Sequence, residues 1–206
     1  MKLTIFGATG NLGLQLVTKA LEEGHEVTAV VRNPAKLTLR SPLLHIVQAD
    51  VTDPDAILPT LDHADVVISA IGPNGNEVTT ICQDSAKSIV TAMEKAGVRR
   101  LLWTSGSMIA DDGDNFFMRN IAKPMVRKLM SNVADGMTKA EAVIHNSRLD
   151  WTVVRPPRLT DKPAGKIRSS LEGNVGMKMA RTDVATYELG ILADQTTIRR
   201  NVFIAN

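Results

Sequence analysis

Gly7, Gly10 and Gly13 stand in the stretch GATGNLG. An apolar run, Leu3 to Phe6, precedes it, and Leu12, Leu16, Val17, Ala20 and Leu21 follow at helical spacing. A glycine turn between a strand and a helix uncovers backbone N–H groups at the positive end of the helix dipole, which suits phosphate. The spacing is GxxGxxG rather than the G-x-G-x-x-G of the dinucleotide fingerprint, so the literal pattern differs at one glycine. The physical requirements are still met. Gly7 can turn the chain off the strand, Gly10 lets backbone approach a pyrophosphate, and Gly13 permits close packing of helix on strand. The N–H groups of Asn11 and Leu12 would face the phosphates.

Which dinucleotide fits is decided further along. Sites that prefer NAD place an Asp or Glu about 20 residues beyond the turn, where it accepts from the ribose 2′-OH. Here the second apolar run ends in Val30-Val31-Arg32-Asn33, with Lys36 close behind and no acid. A 2′-phosphate would meet no repulsion, and the Arg32 guanidinium could pair with it and stack on adenine. The residues therefore favour NADP(H) over NAD(H).

These groups need a scaffold that brings strand ends together. Seven apolar, β-rich runs recur with helical stretches between them: Leu3 to Phe6, Glu26 to Val31, Leu44 to Gln48, Asp65 to Ile71, Arg100 to Thr104, Trp151 to Arg155 and Asn201 to Ile204. Several are continuously apolar, as strands covered on both faces are, so the expected fold is α/β and Rossmann-like: a doubly wound, mostly parallel sheet in one domain, residues 1–206. Asp53-Pro54 can open a helix with Ile57, Leu58 and Leu61 inward; a longer helix fits Thr80 to Ala96 and ends at Gly97. Pro124 should start or end a helix within Phe116 to His145. Ile109 to Asn115 and Pro156 to Gly176 look like loops, the second a candidate substrate rim.

Composition narrows the function classes. Hydrophobic residues at 44% and charged residues at 22% exclude disorder and fibrous repeats. A net charge of +2 with scattered basic residues gives no footprint for nucleic acid or a membrane surface. The expected partner is a small-molecule acceptor, on a monomer or small homo-oligomer in the cytoplasm, since no secretory leader or membrane-length apolar run is visible. Cys82 is the single cysteine and is expected to be an inert thiol on a helix; His25, His45, His63 and His145 lack metal-ligand spacing.

GATGNLG, VVRN, the pair Asp50-Val51 after the third run and Thr104-Ser105-Gly106 together resemble the atypical short-chain dehydrogenase/reductase group. Within it the chain is similar to the NADPH-dependent flavin reductase and biliverdin-IXβ reductase family. Ser147 to Pro157 looks like that family's strand leading to a substrate loop, and Thr182-Asp183-Val184-Ala185 like a helix start. The resemblance implies that Gly7, Thr9, Gly10, Asn11, Leu12 and Gly13 hold the pyrophosphate, and Arg32 with Lys36 the 2′-phosphate. It further implies that Asp50 and Val51 flank adenine, that Ala70, Ile71 and Gly72 run beneath the ribose, and that Thr104, Ser105 and Pro156 border the nicotinamide.

Ordinary members of the short-chain group reduce carbonyls with a Tyr-x-x-x-Lys pair, the tyrosine giving a proton to the developing alkoxide. Here the single tyrosine is Tyr187, and Ile191 stands four residues on. Alcohol dehydrogenation and sugar epimerisation thereby lose their acid. A conjugated acceptor such as a flavin or quinone needs mainly orientation in a dry cleft, with its proton coming from solvent. Ser105 is then the candidate catalytic hydroxyl, and Ser107 and Arg158 candidate substrate contacts. Met137 and Arg158 stand where the mammalian reductases carry histidines, which argues against a tetrapyrrole substrate. The alternative is a non-catalytic NADP(H)-binding redox sensor, in the style of NmrA-like regulators.

Overall fold

A computed structural model describes residues 1–73, 75, 76, 78–111, 113, 116 and 118–206. The chain enters through β1 (Lys2–Phe6), whose Leu3 and Ile5 point to one face of the sheet while Phe6 points to the other. Both faces are thus apolar, as the continuous run requires. Helix α1 (Asn11–Glu22) then carries the chain back to β2 (Glu26–Val31), which pairs in parallel with β1. β3 (Leu44–Gln48) closes that edge. The expected Asp53 cap is present: its side chain accepts from the backbone N–H of Asp55 and Ala56 at the start of the short α2 (Pro54–Ile57).

The second half starts with β4 (Val66–Ser69), parallel to β1 on its other side. Helix α3 (Ile81–Ala96) stops at Gly97, whose φ of +74° is the left-handed cap expected of a glycine there. β5 (Arg100–Thr104) follows, and then a wide π turn at Met118–Ala122 leads into α4 (Lys123–Leu129). Pro124 is the second residue of α4, directly after the π turn. Helix α5 (Ser131–His145) leads to β6 (Asp150–Arg155). The expected loop at Pro156 to Gly176 departs from the structure, because it contains β7 (Arg158–Thr160) and β8 (Arg168–Ser170). β9 (Lys178–Ala180), α6 (Arg181–Gly190) and β10 (Arg200–Ala205) complete the chain. Asp112, Asp114 and Asn115 of the other expected loop lie outside the described residues.

The main sheet runs β3-β2-β1-β4-β5-β6-β10-β8, with β8 antiparallel at one edge, while β7 and β9 pair separately. All seven expected strands are in the main sheet. One apolar layer joins α1 and α6 to the sheet through Leu16, Val17, Leu102, Val184 and Leu189; the other joins α3 and α5 through Ile89, Met93, Trp103 and Ile144. The strand order reverses direction between β1 and β4, which makes the carboxyl ends of those two strands a ligand crevice.

Candidate functional site

Gly7 leaves β1 with φ +79°, and a Cβ there would lie 2.8 Å from the Ala70 carbonyl oxygen. A side chain would also be strained by the left-handed backbone. At Gly13 the fit is closer: a Cβ would come within 2.0 Å of the Gly7 carbonyl oxygen, so α1 can start this near the turn only with glycine. Gly10 is the N-cap of α1 and offers no side-chain cap, which leaves the first N–H groups of the helix free of protein caps. Backbone with no Cβ and an uncapped helix end is a cradle for phosphate. Gly7 and Gly13 thus occupy positions that only glycine fits without strain.

Gly7, Thr9, Gly10, Val30, Val31, Arg32, Lys36, Ala49, Val51, Ala70, Ile71, Gly72 and Ile81 line one cleft of about 230 Å³ at this switch point. Gly7, Thr9, Gly10, Arg32, Lys36, Val51, Ala70, Ile71 and Gly72 were expected from the sequence; Val30, Val31, Ala49 and Ile81 add an apolar wall. Arg32 is exposed just past β2, and Lys36 is held beyond it on a short turn whose first residue, Asn33, accepts from the Ala35 N–H. Asp50 stands outside the lining. Its carboxylate accepts from the Thr52 N–H at 2.9 Å and from the Thr52 hydroxyl at 2.8 Å. Those bonds, the backbone one first, hold it below the usual carboxylate range, and nearby Arg32 adds to the effect. The groove thus joins an apolar floor to a phosphate cradle and a cationic rim, which fits the adenosine half of an NAD(P)H.

Beyond the cleft, along the carboxyl ends of β5 and β6, lie the residues expected around the nicotinamide. The Ser105 N–H donates to the Val154 carbonyl and the Ser107 N–H to that of Pro156, which knits these two segments together. The Ser105 hydroxyl is buried with no hydrogen-bond partner among the described residues. Such a hydroxyl is a candidate for bonding a ligand. Thr104, by contrast, turns its hydroxyl inward, 2.6 Å from Glu188 of α6. Arg158 is exposed on β7, makes no hydrogen bond or ion pair among the described residues, and does not line the cleft.

Two acids were not singled out from the sequence. Glu141 of α5 forms a buried ion pair with Arg155, whose guanidinium also lies 5.4 Å from the Phe203 ring centre. Glu188 is fully buried, its carboxyl pushed up to about 8 by loss of solvent, an effect that the Thr104 hydrogen bond partly offsets. The signal was available: Val184, Ala185, Leu189 and Leu192 form a helical stripe, and Glu188 occupies the same stripe. The expected inertness of Cys82 has a physical basis, since burial pushes its thiol up to about 11.

A larger hollow of about 880 Å³ lies at the opposite, amino ends of the strands. Two of its carboxylates are already engaged: Asp150 accepts from Arg99 Nε and Nη2 at 2.9 and 3.0 Å, and Asp65 accepts from the Lys2 N–H at 2.7 Å. No three metal-ligating side chains gather among the described residues.

Residues 7–195 match the family described as NAD(P)H-binding. The chain belongs to that family. It is 33% identical over 103 residues to averufin oxidase A of Aspergillus flavus, covering 44% of this chain and 36% of that protein. It is 30% identical over 109 residues to the photosystem II assembly factor Ycf39 of Synechocystis, covering 51% and 33%. The chain thus spans about a third of the length of these two relatives. An oxidoreductase from Lactococcus lactis superposes over 100% of this chain and 91% of its own with a TM-score of 0.86 at 21% identity. A short-chain dehydrogenase/reductase from Veillonella parvula, solved in complex with NADP, covers 100% and 94% with a TM-score of 0.82 at 19% identity. The NAD(P)H-binding family and its Rossmann-like fold are those expected from the glycine turn and the strand pattern.

Proposed function

We propose that the protein is an NADPH-dependent reductase acting on a flat, conjugated acceptor of the flavin or quinone type. The observation that carries this reading is the cleft itself, where a glycine cradle and an apolar groove end on Arg32 and Lys36 with no acid in the lining. A 2′-phosphate gains ion-paired, charge-assisted hydrogen bonds from such a rim, whereas a bare ribose brings no charge to pair with it. When bound, the nicotinamide supplies two electrons and a hydrogen as hydride.

The acceptor class follows from what surrounds the far end of the crevice. Tyr187 and Ile191 leave no Tyr-x-x-x-Lys pair to protonate an alkoxide, so a simple carbonyl is a poor substrate. The Ser105 hydroxyl, buried and unpartnered, is available to hydrogen-bond an acceptor or a carboxamide. Past the carboxyl end of β5, α4 and its leading turn are tied back by Arg127, which donates to the Met108 carbonyl at 2.7 Å. That segment exposes Ile121, Met125 and Leu129, a surface suited to an apolar ring system.

Initial-rate assays of NADPH oxidation with FMN, FAD and a naphthoquinone test the reading. Turnover well above an enzyme-free control, faster with NADPH than with NADH, is expected. Tight NADPH binding with no turnover for any acceptor would instead fit the redox-sensor alternative.

A further inference from the structure

Surface helices of soluble proteins bury an apolar stripe and expose their charges. The segment from the π turn to the end of α4 does the reverse. Lys123 is only 4% exposed and its Nζ donates to the Ala110 carbonyl. Arg127, half-buried, donates to the Met108 carbonyl and to Asp111, both at 2.7 Å. Ile121, Met125 and Leu129, spaced four residues apart, point outward instead, with Met125 at 73% and Leu129 at 74% exposure. Phe116 and Val126 are exposed as well. The adjoining loop, tied to the Leu129 carbonyl by Asn76 at 2.8 Å, adds exposed Val78. Of the eleven large apolar side chains exposed among the described residues, six belong to these two segments, so this is not the ordinary scatter of single surface residues. The helix is held to the protein by its cations, and its apolar side is left for something else.

The charges beside the stripe say what covers it. Arg119 and Lys128 are exposed and make no hydrogen bond or ion pair among the described residues. Between Asn115 and Ala134 the chain carries four basic residues and no acid. The acids Asp111, Asp112 and Asp114 precede the stripe in sequence, and Asp111 is taken by Arg127. A net charge of +2 over the whole chain averages this local excess away. In a two-fold dimer through α4 the same strip would meet itself, and neither cation would find an acid on it. A ridge of Ile, Met and Leu with long cations beside it suits a bilayer interface, where apolar side chains enter the acyl boundary and cationic heads stay among the phosphates. We propose that α4 and its leading turn dock the protein onto an anionic lipid surface, lying in the plane of the interface without crossing it. Ile121, Met125 and Leu129 enter the acyl boundary, while Arg119 and Lys128 pair with headgroup phosphates. Because α4 is tied through Met108 and Ala110 to the chain leaving β5, docking brings that end of the strand close to the bilayer. This goes beyond the reductase reading and does not depend on it.

The test is sedimentation of the intact protein with lipid vesicles, with neither nucleotide nor acceptor present. Binding to vesicles of phosphatidylglycerol and phosphatidylcholine in equal parts is expected, roughly 10-fold or more tighter than to phosphatidylcholine alone and weakened by salt. Met125→Glu combined with Leu129→Glu should lower that binding at least about 10-fold. Arg119→Ser combined with Lys128→Ser should remove the preference for anionic lipid. Leu171→Glu, which changes an exposed apolar residue elsewhere in the chain, should leave binding as it is. Each variant should unfold at the temperature of the parent chain, since every side chain changed is exposed. No sedimentation with anionic vesicles, or sedimentation that the double glutamate variant retains, would overturn the proposal. So would a dimer in sedimentation velocity that the same double change dissolves, because a second copy would then cover the stripe.

Discussion

Arg32 is exposed and close enough to Asp50 to lower its carboxyl, yet Asp50 is already satisfied by Thr52, so the guanidinium stays available to a phosphate. A hydrogen bond to a charged group contributes about 1.5–3 kcal/mol, so Arg32→Ala should weaken NADPH roughly 10- to 100-fold and NADH far less. Fluorescence titration of both nucleotides checks this; equal losses would remove Arg32 from the 2′-phosphate. Glu188 makes a second prediction, on stability. Its carboxyl sits near 4.5 in the unfolded chain and about 8 in the folded one, so between those values the folded state holds a proton that the unfolded state has lost. Stability contributed by this group is fully present below 4.5, is lost as pH rises toward 8 and then levels off. Glu188→Gln should flatten that decline, a difference on the order of 2–4 kcal/mol at pH 8, read from chemical denaturation across the window.

At the level of elements, the start of α1 depends on backbone contact. Gly13→Ala places a methyl 2.0 Å from the Gly7 carbonyl oxygen, so the helix must lift off the turn. A loss of at least about 2 kcal/mol with loss of NADPH binding is expected. Gly97→Ala, strained only by its φ of +74° at the end of α3, should cost roughly 1 kcal/mol and leave nucleotide affinity alone. Equal effects of the two on affinity would contradict the cradle. Helix α5 is moored to the sheet by the buried pair of Arg155 and Glu141. Arg155→Met leaves Glu141 uncompensated and should cost about 3–5 kcal/mol, most of which the double change with Glu141→Leu should restore; thermal unfolding of the three variants reads this out. The long strands and helices were legible in the sequence because their apolar runs and stripes are continuous, as in Val66 to Ser69 or Ile89 to Met93. β7, β8 and β9 were not, since three residues each are too few to carry a period. Glu141 and Glu188 were missed for a different reason: their polar identity conceals helical positions that face inward, and only the partner across the sheet shows why an acid is there.

For the molecule as a whole, the sheet order places the glycine turn, the cationic rim and the ends of β5 and β6 along one edge, although they come from residues 7 to 156 of the chain. The cofactor half of that edge could be read residue by residue, because the phosphate cradle is local in sequence. Beyond it, Thr104 and Ser105 could be named from the sequence but Glu188 could not, because it meets Thr104 only through tertiary packing, 84 residues apart. Among the described residues no helix is long and apolar enough to cross a membrane. The most direct measurement of the central claim is a single-turnover decay of NADPH mixed with enzyme and excess naphthoquinone, comparing unlabelled NADPH with NADPH deuterated on either face of C4. Hydride transfer from nucleotide held in this cleft predicts fast decay that is slowed by deuterium on one face only and abolished in Gly13→Ala. Decay no faster than the enzyme-free reaction, with NADPH demonstrably bound, would contradict it.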